Sequence, residues 1–391
     1  MLRVAILLVA ATAAHAQDLA ASGFAHFYNL EYEEALVDFR ALEAKDSSVP
    51  DLHNHIAQTL LFREMYRSGA LESQLVTLSD PFLRREKMNP SPEDEKEFNA
   101  AISRAMELAE ARIETNPRDA RAHYALGVSY GLRANYKFLV RKAWIDGLRD
   151  ATSARKAHNA ATRIDPSFID AQLVQGVYDY VVGSLPFSWK LLGFIAGFRG
   201  DRERGVATLK MVLEQGNLNR SDAAILLCAL YRRERRASEA VPLLRQLITQ
   251  FPRNYLFRLE LVQMFGDLGD KEQALAVIDE VERLKREHAP GYAQIAEEKI
   301  RFTRGNLLFW YREYDQAVDN LRQVTSNADK VDLNTGSYAW LRLAQSYDTR
   351  GQRDLALAAY RETTRYAPNS DAAKEAQQYL SKRYVRRDYR E

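Results

Sequence analysis

The sequence feature that most constrains this fold is a set of spacings that recurs along the 391-residue chain. A tyrosine closes an apolar stretch, a small residue follows nine positions later, a large apolar residue four positions after that, and a proline eight positions further on. The spacings predict two antiparallel helices that meet closely at the small residue, with a proline that ends the second helix. Two complete copies are Tyr231, Ala240, Leu244, Pro252 and Tyr347, Ala356, Tyr360, Pro368.

Small residues occupy the equivalent positions of other apolar stretches, so the pattern extends over most of the chain. A larger side chain at these positions would push the two helix axes apart. One such hairpin cannot bury its apolar face alone, so neighbouring hairpins are expected to stack. The small residues are Gly127, Gly176, Cys228, Gly305 and Ala344 in the first helices and Ala35, Ala105, Ala154, Ala240, Ala274, Ala317 and Ala356 in the second helices.

This pattern resembles the tetratricopeptide repeat (TPR), most clearly at HYALGVSY (123–130), ILLCALY (225–231) and WLRLAQSY (340–347). The resemblance implies an all-α fold, a right-handed α-solenoid of about eight TPR helix hairpins. Repeats 2–4 are irregular, with elongated or inserted helices, and the polar stretch 371–383 is predicted to be a C-terminal capping helix. Approximate repeat spans are 17–50, 51–117, 118–166, 167–219, 220–254, 255–290, 291–333 and 334–370.

Two domains follow from this distribution of regular and irregular repeats. The irregular repeats with inserts make up an N-terminal domain at 17–219, and the regular repeats with the capping helix make up a C-terminal domain at 220–391. The Gly200 bend and Asp201 are predicted to open the second helix of repeat 4, because an aspartate side chain caps a helix N-terminus well.

Residues 1–16, MLRVAILLVAATAAHA, are predicted to be a cleaved signal peptide. One basic residue, Arg3, precedes an apolar run, and Ala14-His15-Ala16 gives an A-x-A cleavage pattern. Cleavage after Ala16 would leave Gln17 as the new N-terminus. We therefore expect an exported protein, which in a Gram-negative host would be periplasmic.

The stretch VVGSLPFSWKLLGFIAGF (181–198) is the most apolar interior segment and lies between the two helices of repeat 4. A membrane-spanning helix needs about 20 apolar residues, and Pro186 and Lys190 interrupt this one. The segment could instead be an exposed docking surface, with Trp189 as its candidate partner-binding residue. We favour a third interpretation, in which it packs on the aromatic insert RANYKFLVRKAW (133–144) of repeat 3.

Residues 183–209, GSLPFSWKLLGFIAGFRGDRERGVATL, are also similar to one region of the eukaryotic inclusion-body-clearance type of TPR protein and to exported bacterial TPR proteins. The similarity lies in Leu-Pro before an apolar helix and in a glycine-rich turn with Asp201, Arg202 and Glu203. It implies a shared architecture and an interaction surface, and it implies no catalysis. The eukaryotic relatives are intracellular, so their cellular role does not transfer to a chain with a signal peptide.

The sequence lacks the motifs that carry enzymatic chemistry. There is no G-x-S-x-G, P-loop, H-E-x-x-H or C-x-x-C pattern, and Cys228 is the single cysteine. We therefore predict that the protein is not an enzyme and has no catalytic, cofactor-binding or metal-binding residues. The 55 basic and 53 acidic residues leave a net charge of only +2, so no nucleic-acid partner is expected.

What remains is a binding surface, because the resemblance to TPR proteins implies a concave groove lined by the first helix of each repeat. The lysine of the clamp by which some TPR domains hold a C-terminal carboxylate is replaced by Phe302. We predict a scaffold for a protein or peptide partner, bound in the groove or at the inserts of repeats 3 and 4. The alternative is a peripheral membrane or envelope-assembly factor that uses residues 181–198. The candidate partner-binding residues are Tyr124, Arg232, Arg233, Phe302, Asn306, Phe309, Tyr338 and Trp189.

Overall fold

The computed structural model describes residues 18–71, 88–184 and 200–386, and within these ranges the chain is helical, without β-strands. The α-helices are α1 (18–28), α2 (Tyr32–Lys45), α3 (Pro50–Arg67), α4 (Pro92–Thr115), α5 (Ala120–Tyr136), α6 (Trp144–Ile164), α7 (Leu173–Gly183), α8 (Arg202–Gln215), α9 (Arg220–Arg233), α10 (Ala237–Gln250), α11 (Tyr255–Leu268), α12 (Lys271–Arg286), α13 (Glu297–Trp310), α14 (Tyr314–Ser326), α15 (Leu333–Thr349), α16 (Arg353–Tyr366) and α17 (Asp371–Ser381).

Successive helices form hairpins, and the hairpins follow the predicted repeats. Helices α1 to α16 give eight consecutive pairs among the described residues, and α17 follows the last pair as the predicted capping helix. The predicted all-α solenoid of helix hairpins is therefore confirmed.

The small residues lie where the two helices of a hairpin meet. All seven predicted alanines of the second helices are 2% exposed or less. A side chain on Gly127 would place its Cβ 2.6 Å from Cδ2 of His158, and one on Gly305 would meet Leu321 at 2.9 Å. The helix axes are thus as close as these residues allow, which confirms the predicted register of the hairpins.

Repeats 3 and 4 are longer than the regular repeats, and their structures differ. In repeat 3, α5 continues into a π-helical turn, Lys137–Arg141, and α6 is 21 residues long, against 14 in α10. Arg133 and Lys137 both bind the Asp150 carboxylate, at 2.7–2.8 Å, and so tie the lengthened helices together. In repeat 4, Asp201 caps α8 as predicted, because its side chain accepts a hydrogen bond from the Arg204 amide at 2.8 Å.

The predicted packing of 181–198 on repeat 3 involves 185–198, which lie outside the described residues, so it stays a prediction. No helix in the described part of the chain is both long and apolar enough to cross a membrane.

The described residues divide into two compact units. Unit 1 falls within Met1–Glu64 and Lys87–Cys228, and unit 2 within Met65–Glu86 and Ala229–Glu391. The predicted domain boundary between 219 and 220 stays a prediction.

Unit 1 contains contacts between residues far apart in sequence. The Tyr28 hydroxyl of α1 donates a hydrogen bond to the Asp222 carboxylate of α9. Tyr124 of α5 and Asn219, just before α9, are joined by hydrogen bonds of 2.9 and 3.2 Å. These contacts join repeat 1 to the start of repeat 5 and repeat 3 to the end of repeat 4.

His158 makes the stability of unit 1 sensitive to pH. It is 2% exposed and packs edge-on against the Tyr124 ring, with 5.2 Å between ring centroids. Burial lowers the pKa of His158 from 6.5 to about 4. The folded protein therefore keeps a neutral imidazole, while the unfolded chain binds a proton as the pH falls through 6.5. Since protons favour the unfolded chain, stability is lost as the pH falls from about 6.5 towards 4.

Substituting His158→Phe should make the free energy of unfolding less dependent on pH. Between pH 7 and pH 5 the wild type is expected to lose about 2 kcal/mol more than the variant, because only the wild type carries this proton-linked cost. Urea denaturation at the two pH values measures the difference, and any constant packing penalty of the phenylalanine cancels. Equal losses in the two proteins would contradict the assignment.

Candidate functional site

Helices α13 and α15 bring four of the predicted partner-binding residues onto one surface. Phe302, Asn306 and Phe309 lie four and seven positions apart on α13, a spacing that places them along one helix face. Tyr338 lies on the neighbouring α15, and Trp310 ends α13. We call these five residues the repeat 7–8 surface.

Arg342 of α15 lies at the centre of this surface. Its guanidinium carbon lies 4.8 Å from the ring centroid of Trp310, 5.1 Å from that of Phe309 and 5.8 Å from that of Tyr338. Arg342 also donates hydrogen bonds to the side-chain oxygens of Asn306, at 3.3 Å, and Gln345, at 2.5 Å. A guanidinium over several aromatic faces holds them in a fixed arrangement.

Burial of Arg342 lowers the pKa of its guanidinium, and the Glu375 carboxylate acts in the opposite direction. Glu375, on α17, accepts a hydrogen bond of 2.8 Å from the Gln345 side chain. The chain of contacts from Arg342 through Gln345 to Glu375 therefore links the repeat 7–8 surface to the capping helix.

The members of the surface differ in exposure. Trp310 is 39% exposed, and Phe302 and Tyr338 are half-buried against the core of repeats 7 and 8. Phe309 has no exposed surface. Leu343 and Tyr347, expected inside the repeat, are buried.

Phe309 is covered in part by the chain's own residues 382–386, which follow α17. The Tyr384 ring lies 6.1 Å from the Phe309 ring and 5.2 Å from the Tyr379 ring, measured between centroids. The guanidinium carbon of Arg386 lies 5.5 Å from the Trp310 ring centroid. Phe309 is therefore covered both by the core of repeats 7 and 8 and by this segment.

The Asp348 carboxylate, at the end of α15, holds the same segment. It accepts a hydrogen bond of 2.9 Å from the Tyr384 backbone amide, two from the Arg353 guanidinium at 2.8 and 2.9 Å, and one from the Tyr360 hydroxyl at 3.1 Å. Its side chain is fully buried. A buried carboxylate with this many donors is well satisfied and fixes the backbone of residue 384 in place.

Residues 66–69, at the end of α3 and just after it, lie close to the starts of α11 and α15 in unit 2. The Tyr66 hydroxyl is 3.3 Å from the Tyr255 hydroxyl, and a Cβ on Gly69 would meet Asp332 at 2.9 Å. Asp332 in turn binds the buried Lys299 ammonium at 2.6 Å. Burial alone would raise the pKa of Asp332, and Lys299 and Thr335 hold it below its usual value.

Four predicted site residues are not members of the repeat 7–8 surface as it is defined here. Tyr124 is 7% exposed in unit 1, where it contacts Asn219, His158 and Phe168. Arg232 is half-buried and pairs with Glu260 at 2.9 Å, and Arg233 is half-buried beside it. Trp189 lies outside the described residues. These four stay predictions.

The side chains of the repeat 7–8 surface are of kinds that bind a ligand. The side-chain oxygen of Asn306 accepts a hydrogen bond from Arg342. Cys228 is buried, and within 18–71, 88–184 and 200–386 no group of three His, Cys, Asp or Glu residues is arranged to hold a metal ion. Aromatic rings, an arginine and a buried carboxylate are suited to holding a polypeptide segment.

Residues 338–370, which cover most of α15 and all of α16, match the family model described as "Tetratricopeptide repeat". This part of the chain is a tetratricopeptide repeat. Seven of the eight second helices have alanine at the same crossing position, and α8 has Gly205 there. The finer resemblance of residues 183–209 to the inclusion-body-clearance type stays a prediction.

Three solved structures are similar to this chain in fold. Human IFIT1, in a dimer with m7Gppp-AAAA, is 14% identical over 94% of this chain and 85% of its own, with a TM-score of 0.47. Cut9, in the APC/C hetero-tetramer Cut9–Hcn1, is 14% identical over 88% and 59%, with a TM-score of 0.42. A tetratricopeptide repeat protein from Parabacteroides merdae ATCC 43184 is 12% identical over 80% and 92%, with a TM-score of 0.30.

No curated protein matches the chain in sequence. At the identities and TM-scores of the three structures, what those proteins bind does not extend to this chain.

Proposed function

We propose that this protein is an exported, non-enzymatic TPR scaffold that binds an extended segment of a partner protein on the repeat 7–8 surface. One observation carries the proposal: the surface already holds an extended segment, residues 382–386 of the chain itself. Its backbone amide at Tyr384 binds Asp348, and its side chains cover Phe309 and Trp310. A surface that fits one extended segment has the shape and the hydrogen-bonding groups to fit another.

The arrangement of the surface supports this role physically. Arg342 fixes three aromatic rings before any ligand arrives, so little side-chain freedom is lost on binding. Trp310, Phe302 and Tyr338 offer the large aromatic area that dominates the energetics of many protein interfaces. The absence of a catalytic motif in the sequence supports a scaffold over an enzyme.

Export is proposed on the signal-peptide pattern of residues 1–16. When the full chain is expressed in a Gram-negative host, we expect the mature protein in the periplasmic fraction with Gln17 at its N-terminus. Intact-mass spectrometry of that fraction measures the cleavage site. An uncleaved chain that stays in the cytoplasm would contradict export, without bearing on partner binding.

The variant Phe302→Ala, Tyr338→Ala tests the binding surface. Partner capture from an envelope extract should weaken by about 1–3 kcal/mol, because truncated aromatic anchors are the usual costly losses in an interface. Quantitative mass spectrometry of captured proteins, with wild type and variant side by side, measures the change for each co-purifying protein.

Exposed Leu148 on α6 of unit 1 offers the matched control. It is 59% exposed, so Leu148→Ala removes a similar kind of apolar surface at a residue that is not a member of the repeat 7–8 surface. We expect Leu148→Ala to capture partners as the wild type does. If the double variant captured every partner as well as this control does, the repeat 7–8 surface would not be the binding site.

A further inference from the structure

Residues 383–386 alternate in exposure as an extended strand does. Arg383 and Val385 are exposed, and Val385 is 74% exposed, whereas Tyr384 and Arg386 are half-buried. Lys382 already has extended backbone angles, φ −133° and ψ 156°. Alternate side chains of an extended segment point to opposite sides, so only every second residue contacts the surface on which the segment lies.

The two half-buried residues meet two different sites. Tyr384 lies between the Phe309 and Tyr379 rings and presents its backbone amide to Asp348. Arg386 lies over the Trp310 ring. The first site accepts a flat ring, and the second accepts a cation that can stack on an indole. The spacing between the sites equals two residues of extended chain.

We infer that the repeat 7–8 surface selects an extended protein segment with an aromatic residue followed two positions later by a basic residue, and that residues 382–386 occupy it in the absence of such a partner. This inference rests on the proposed function, since it names the chemistry of the partner at the same surface. The occupant is a partner segment, because every contact that holds 384–386 is one that a second polypeptide with the same two side chains could make.

The resident segment belongs to the same chain and makes the contacts that a partner segment would make. The Tyr384 amide binds Asp348 and the Tyr384 and Arg386 side chains pack on the surface, while Lys382, Arg383 and Val385 are exposed. A tethered segment competes at an effective concentration in the millimolar range, so a partner of moderate affinity would be held off until its local concentration rises. The contact of residues 382–386 with the surface therefore sets a minimum partner concentration for binding.

A fluorescent peptide with the sequence of residues 380–386, LSKRYVR, tests the inference by fluorescence anisotropy. We expect it to bind the full-length Tyr384→Ala, Arg386→Ala protein at least about tenfold more tightly than the wild type, because the tethered competitor is weakened. Full-length Val385→Ala is the matched control, since Val385 is exposed between Tyr384 and Arg386. This variant should bind the peptide with the affinity of the wild type. The peptide LSKAAVA, altered at 383, 384 and 386, should bind none of the proteins.

Trp310→Ala in the Tyr384→Ala, Arg386→Ala background locates the peptide, and it should abolish the gain in affinity. Thermal melts of all variants exclude loss of folding as the cause, and Arg386→Ala alone replaces the double change if that protein melts early. Equal binding to wild type and loosened variant, or binding to neither, would overturn the inference. A wild-type dimer that dissociates in the loosened variant would also overturn it, because the occupant would then be a second copy.

Failure of this test is distinguishable from failure of the proposed function. If the peptide does not bind while Phe302→Ala, Tyr338→Ala still weakens partner capture, the scaffold function stands and the partner chemistry is different. If neither change has an effect, both are wrong.

Discussion

Replacing Leu343 with alanine should lower the free energy of unfolding by about 2–5 kcal/mol, because it removes buried methyl groups and leaves a cavity in the core. Leu343 is 3% exposed and belongs to the core cluster of repeats 7 and 8, which includes Leu308, Leu321 and Tyr360. Urea denaturation followed by circular dichroism measures the loss.

Leu355→Ala is the matched control for this change. Leu355 lies on α16 of the same repeat and is 49% exposed, so its truncation should alter stability by no more than about 0.5 kcal/mol. The Phe302→Ala, Tyr338→Ala protein should fall between the two, since those side chains are half-buried. If Leu343→Ala were no more costly than Leu355→Ala, the register of repeat 8 would be wrong.

Asp348→Ala should be the most damaging polar substitution in unit 2, at about 3 kcal/mol, because it leaves buried donors without their acceptor. The Arg353 guanidinium, the Tyr360 hydroxyl and the Tyr384 amide all depend on this carboxylate. Arg353 retains some contact with water, which keeps the loss at the lower end of the range for a broken buried ion pair.

Two further substitutions make the Asp348 result specific. Asp348→Asn keeps the shape and some of the hydrogen bonds, so it should cost less than Asp348→Ala. Asp354→Ala removes an exposed carboxylate from the first turn of α16 and should cost about 0.5 kcal/mol. Thermal denaturation of the three variants gives the order, and an Asp348→Ala protein as stable as Asp354→Ala would show that the carboxylate network contributes nothing.

The hairpins could be predicted from the sequence because their main contacts are local. Ala240 and Ala356 pack against the helix that immediately precedes them, so the spacing from Tyr231 or Tyr347 encodes the contact directly. Asp201 could be predicted as a cap for the same reason, since it hydrogen-bonds three residues ahead. In the sequence, the lengthened helices of repeat 3 show only as a larger number of residues between Tyr130 and Ala154. That number alone cannot distinguish a longer helix from a loop.

The core of the candidate site could be predicted only in part. Phe302, Asn306, Phe309 and Tyr338 follow from their positions on the first helices, and the structure brings them together. Arg342 falls outside those positions, and no sequence signal indicated that it would stack on three rings. The repeat pattern places Asp348 on the first helix of repeat 8, but its partner Tyr384 lies 36 residues away. Nothing in the spacing indicates that the chain after the capping helix comes back to Asp348.

The hydrogen bond between Tyr28 and Asp222 changes how unit 1 can open. In a linear repeat array the terminal hairpin has one neighbour, so it frays first and its amide hydrogens exchange earliest. Here the first helix also holds the ninth, so separating repeat 1 requires breaking a contact with repeat 5 as well as the one with repeat 2. The N-terminal end of the array is thus coupled to its middle, and unit 1 should unfold as a single cooperative unit, without peeling from the end.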